Sequence, residues 1–177
     1  MYIPGHLAVG YLVVVAAGGA SRGANLIGAL VPVWVGVLTP DIIDKSIKLV
    51  GLSVFGRTVG HSVLSLALIV GMWAMLARRE WKHASKLGWF VAGVGLHLIT
   101  DLVNDLVAGV MYTRYLFSAW FSWPYMNPDM AAWQVESVLS PYNFHFTPLE
   151  IVTVVLALWM TFQRRRVRLI VDPARET

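Results

Sequence analysis

The sequence contains no cysteine, so no disulfide closes a loop and no thiolate is available to a metal; a metal site in this chain draws on His, carboxylates, backbone and water. Charge is also scarce. Asp, Glu, Lys and Arg make up 14% of 177 residues against 57% hydrophobic residues and a mean hydropathy of +0.64, which excludes an ordinary soluble domain and points to a polytopic membrane protein. No internal repeat or low-complexity tract is evident, and without matched halves a transporter is disfavoured. The net charge of +4 does not indicate nucleic acid. The basic residues stand in short clusters at the ends of apolar stretches, where they act as topology signals.

What is present is a series of long apolar stretches. They predict an all-α integral membrane protein forming one domain over residues 1–177, with five spans near 2–20, 24–43, 61–77, 87–108 and 148–163. The first span carries no Lys or Arg ahead of its apolar run, so a retained helix is expected and not a signal peptide. His6 stands at its mouth behind the breaker pair Pro4-Gly5. Pro32 should kink the second span, and Pro40 marks its boundary with an interfacial segment, DIIDKSIKLVG. Asp41 and Asp44 share a face there, either as first-turn acids of an interfacial helix or as functional groups. Beyond the fourth span, residues 109–146 are aromatic and irregular, a connection of the functional or lid type. Trp120, Trp123, Tyr125 and Trp133 suit a headgroup-level belt. Thr147, Pro148 and Glu150 match a capping box opening the fifth span.

Orientation follows from counting cations. Loops after the first, third and fifth spans hold ten of the fourteen Lys and Arg, whereas the other side holds Lys45, Lys48, Arg57 and Arg114. The basic-rich side is the cytoplasmic one. The C-terminus is then cytoplasmic, and His6, Asp41, Asp44, His61 and Asp101 meet at the extracytoplasmic face of the inner membrane.

The stretch GLHLITDLVND, Gly95 to Asp105, sets His97, Asp101 and Asp105 four residues apart, hence on one helical stripe. Ionisable groups at membrane depth are costly and normally face a bundle interior or a wet cavity. At about 1.5 Å per residue, His97 lies roughly 15 Å into the fourth span. Imidazoles and carboxylates gathered from four helix ends suit one or two divalent ions, most simply Zn²⁺, with Mn²⁺ or Fe²⁺ compatible. Such a metal lowers the pKa of bound water and polarises a phosphoryl or carbonyl oxygen, so hydrolysis needs no side-chain nucleophile. His83, in the basic segment RREWKHASK, stands apart from this set.

The pieces GHLAVG, LTPDIIDK, GRTVGHS and GLHLITDLVND resemble, in this order, the YdjM-like family of membrane-bound metal-dependent hydrolases, over the first two-thirds of the chain. The resemblance implies His6, Asp41, Asp44, His61, His97 and Asp101 as the polar set. The third piece departs from the family's His-Arg-x-x-x-His-Ser, because Gly56 precedes Arg57; the site does without that ligand, takes His145 in its place, or is inactive. A looser similarity to zinc-dependent phospholipase C proteins suggests a phosphoester.

Together these readings predict a membrane-bound metal-dependent hydrolase acting on a phosphoester or lipid-linked substrate. His6, His61, His97 and Asp41 are the expected ligands, and Asp44 and Asp101 are ligands or orienters of the imidazoles. Arg57 is expected to pair with substrate phosphate and Asp105 to serve as a general base. The other class is a non-enzymatic metal- or lipid-binding membrane protein.

Overall fold

The computed structural model describes residues 3–18, 26–52, 58–107 and 148–171, with side chains omitted for 18, 105–107 and 165–171. Among these residues the chain is helical: α1 (Ile3–Gly18), α2 (Leu26–Leu49), a 3-10 turn (Val59–His61), α3 (Val63–Arg78), α4 (Ala84–Val107) and α5 (Pro148–Val171). Among the described residues two helices, α2 and α4, are long and apolar enough to cross a membrane, whereas α1 and α3 are shorter apolar helices.

Side chains are distributed inside out relative to a soluble bundle. His6, Asp44, Thr58, His61, Ser62, His97, Asp101 and Glu150 are buried, while Ile27, Val31, Val35 and Ile42 on α2 and Leu158, Trp159 and Phe162 on α5 are exposed. In water that apolar exterior would be unfavourable; against lipid it is matched, and the polar groups gain partners inside.

The α2–α4 crossing places the site. Gly36 packs against Phe90 and Val94, and Gly93 packs against Val33 and Val37, so closely that a Cβ on either would overlap a carbonyl oxygen of the other helix. Small residues let backbones approach in membrane bundles, where van der Waals contact replaces the hydrophobic drive. The apolar core around the crossing is Val14, Leu30, Val33 and Val37, flanked by Trp34, Trp89 and Leu96. Two indoles fasten neighbouring helices. Trp34 donates to the Leu7 carbonyl at 3.1 Å, tying α2 to α1, and Trp73 donates to the Ala84 carbonyl at 3.0 Å, tying α3 to α4.

Three local expectations change. Pro4 and Gly5 do not break α1 but lie in its first turn, where proline costs no intrahelical hydrogen bond. Pro40 is no boundary: α2 runs through both prolines to Leu49, as membrane helices allow when neighbours surround the freed carbonyl. The fourth helix opens at Ala84, three residues before Leu87. Residues 109–146, Thr147, and with them the aromatic belt and the capping hydroxyl, lie outside the described residues.

Candidate metal centre

Asp44 anchors the site from the end of α2. It is fully buried, and it accepts the backbone N–H groups of Thr58 (2.7 Å), Gly60 (2.8 Å) and His61 (3.2 Å) and the Thr58 hydroxyl. These donors are the orphan amides of the 3-10 turn, so the carboxylate ties the connection to α3 back onto α2. Gly60 is required there, because a Cβ would stand 2.5 Å from the Pro40 carbonyl oxygen. The same carboxylate lies 2.6 Å from His61 Nδ1. A carboxylate accepting so many N–H groups is an acceptor only, so His61 carries its proton on Nδ1 and presents the Nε2 lone pair.

His6 is fixed in the same way from the other side. Its Nδ1 lies 2.9 Å from Thr100 Oγ1, whose own hydroxyl donates back along α4 to the carbonyls of Leu96 (2.9 Å) and His97 (3.0 Å). With the hydroxyl proton committed, His6 Nδ1 is the donor and Nε2 holds a lone pair. One helix and one turn thus aim unprotonated imidazole nitrogens at one place.

His97 stands between them. Its ring stacks on His6 with centroids 4.0 Å apart and meets His61 edge-on at 4.9 Å. Its Nε2 is 3.0 Å from His61 Nε2 and 3.6 Å from Asp101 Oδ2, and Asp101 also approaches His61 Nε2 (3.4 Å) and His6 Nε2 (3.2 Å). Asp41 completes the group from α2, with Oδ1 3.9 Å from His61 Nε2 and Oδ2 held by Lys45 at 2.9 Å.

This donor set fits a divalent ion. His6, His97 and Asp101, and likewise Asp41, His61 and His97, each bring one ligand atom within 4.8 Å of the others. Ligands about 2.0–2.1 Å from a tetrahedral ion stand roughly 3.3 Å apart, which is the range of the contacts around His61 and Asp101. His6 Nε2 and His97 Nδ1 are buried without a hydrogen-bond partner among the described residues. The 3.2 Å approach of Asp101 to His6 Nε2 is therefore close but not aligned as a hydrogen bond, which suits two donors facing a shared cation better than each other.

The structure brings together His6, Asp41, Asp44, His61, His97 and Asp101 from four segments. Asp105 lies on α4 with its side chain outside the described residues; Gly56, Arg57 and His145 are outside them altogether. Two contributors escape a reading of motifs. Thr58 and Thr100 are hydrogen-bond partners of Asp44 and His6, and the signal available for Thr100 was its place beside Asp101 as a polar residue in an apolar helix. Glu150 is also buried, in the first turn of α5.

The family model described as YdjM inner membrane protein matches residues 1–169. No curated protein and no solved structure matches the chain. The match covers nearly the whole sequence, and the chain belongs to the YdjM inner membrane protein family.

Proposed function

We propose that this member of the YdjM inner membrane protein family is a metal-dependent hydrolase whose His/Asp centre acts on a phosphoester or lipid-linked substrate at the extracytoplasmic side of a five-span bundle. The observation that carries the reading is the gathering of three buried imidazoles and two carboxylates into two ligand triads that share His97, with His6 Nε2 buried and lacking a hydrogen-bond partner among the described residues.

His6, His61, His97 and Asp41 would hold the ion, Zn²⁺ first among the divalent metals, with Asp101 either a further ligand or the group that fixes His6 and His97. Asp44 has both oxygens engaged by the 3-10 turn and by His61; its part is to orient that imidazole. A bound ion would supply a water of lowered pKa and a Lewis acid for the phosphoryl oxygen. Hydrolysis takes one proton from water and returns one to the leaving alcohol. Asp105, one turn beyond Asp101, is the proposed base, and Arg57, adjacent in sequence to Thr58, the proposed partner of the phosphate.

The test uses purified protein in detergent. It should contain a stoichiometric divalent metal, hydrolyse a phosphoester, lose the activity to a chelator and regain it with metal. His97→Ala and Asp101→Ala should each lower the metal content of a folded protein. Arg57→Ala should slow hydrolysis without removing metal, and Arg57→Lys should recover part of the loss. A metal-loaded protein inert toward phosphoesters, amides and lipid esters would establish the metal- or lipid-binding alternative, and full metal content in both the His97 and Asp101 variants would remove those residues from the centre.

A further inference from the structure

Lys48 reverses the usual arrangement of a lysine at an interface. Its side chain is half-buried, yet the buried part is the ammonium: Nζ is excluded from solvent and has no acceptor among the described residues. Lysines ordinarily lay the methylene stem on apolar surface and keep the charge in water. Lys45, three residues earlier, does so, at 62% exposure and paired with Asp41. An ammonium has three donors and no acceptor, and withholding it from water without a partner is more costly than burying a neutral polar group.

Its place in the fold indicates the partner. Lys48 lies in the last turn of α2, four residues past Asp44 and seven past Asp41, on the stripe that carries both. Lys48 stands one turn past Asp44, about 6 Å of helical rise away, and helical side chains tend to lean toward the N-terminus of their helix, the direction of Asp44. A multivalent oxyanion is the ligand that a buried ammonium and a neighbouring metal centre satisfy together, each taking different oxygens. We propose that Lys48 is an anion-binding residue of this site, holding the phosphate group of its ligand beside the His/Asp centre. The proposal rests on the reading of that cluster as a metal centre, and it identifies a phosphate-recognising side chain distinct from Arg57.

Calorimetric titration of the metal-loaded protein in a non-ionic detergent, with inorganic phosphate and separately with dihexanoyl phosphatidic acid, tests it. Lys48→Met, which keeps an unbranched chain one atom shorter and removes the charge, should weaken binding roughly tenfold or more, the scale of a lost charged hydrogen bond, at unchanged metal content. Lys48→Arg should stay within about threefold of the unaltered chain. A loss seen with both probes assigns a free or lipid-borne phosphate; a loss seen with phosphatidic acid alone assigns the lipid headgroup. Equal affinities for unaltered and Lys48→Met protein, or no binding of either probe by the unaltered chain, overturn the proposal. If Lys48→Met does not fold, Lys48→Gln, which removes the charge and keeps a polar side chain, takes its place in the titration: an affinity lower by roughly tenfold or more supports the assignment, and an affinity equal to that of the unaltered chain overturns it. A protein that binds no metal refutes the metal reading, whereas full metal content with equal phosphate affinities in the unaltered and Lys48→Met proteins refutes this assignment alone.

Discussion

His61 Nδ1 lies 2.6 Å from Asp44 Oδ2, and the carboxylate that orients this imidazole is the same one that gathers the amides of the turn on which His61 sits. Folding the turn and fixing the tautomer are thus one event. Asp44→Asn should damage both, because an amide sets an N–H₂ against groups that are all donors. The expected result is a metal affinity lower by about 10–100-fold and a stability loss on the order of 2–4 kcal/mol. Competition titration with a metal-binding dye and denaturation in detergent measure the two.

Thr100 offers a gentler perturbation of the opposite imidazole. Thr100→Val keeps the shape, removes the acceptor for His6 Nδ1 and frees the ring to adopt the other tautomer. Metal affinity should fall about tenfold or more with the melting temperature little changed, while Thr100→Ser should keep the affinity. Equal affinity in the valine and serine variants would show that Thr100 does not orient His6.

The glycines separate close packing from composition. Gly36→Ala and Gly93→Ala should force α2 and α4 apart, since each added methyl meets backbone of the opposite helix. Gly95→Ala and Gly71→Ala meet nothing within 4 Å and should be neutral or slightly stabilising, alanine being the better helix former by about 1 kcal/mol. Thermal unfolding in detergent should therefore rank the four variants in two groups, with metal lost only from the first.

Orientation is open to direct measurement. Reporter fusions after Arg79 and Arg168 should read cytoplasmic and one near Asn127 external, because ten of the fourteen Lys and Arg lie in the loops assigned inside. The reverse pattern would move the His/Asp centre to the cytoplasmic face.

Composition alone determined that this chain is helical and belongs in a membrane, because apolar content and the rarity of charge report the solvent a chain can tolerate whatever its detailed packing. Spacing determined which ionisable residues of one helix share a face, as with His97 and Asp101, since helical periodicity is a local property. The continuity of α2 through Pro40 was not legible, because proline's effect depends on which neighbours surround the freed carbonyl. Nor was the division of labour between Asp41 and Asp44. Both stand on the same stripe of α2, and only the fold of the following turn, 14 to 17 residues along the chain, engages both oxygens of Asp44 while leaving Asp41 to Lys45 and the centre. Thr58 and Thr100 acquire their parts in the same way, from partners brought in by tertiary contact. The α2–α4 crossing decides how near the imidazoles come, and it rests on glycines whose spacing has no meaning until two helices are laid together.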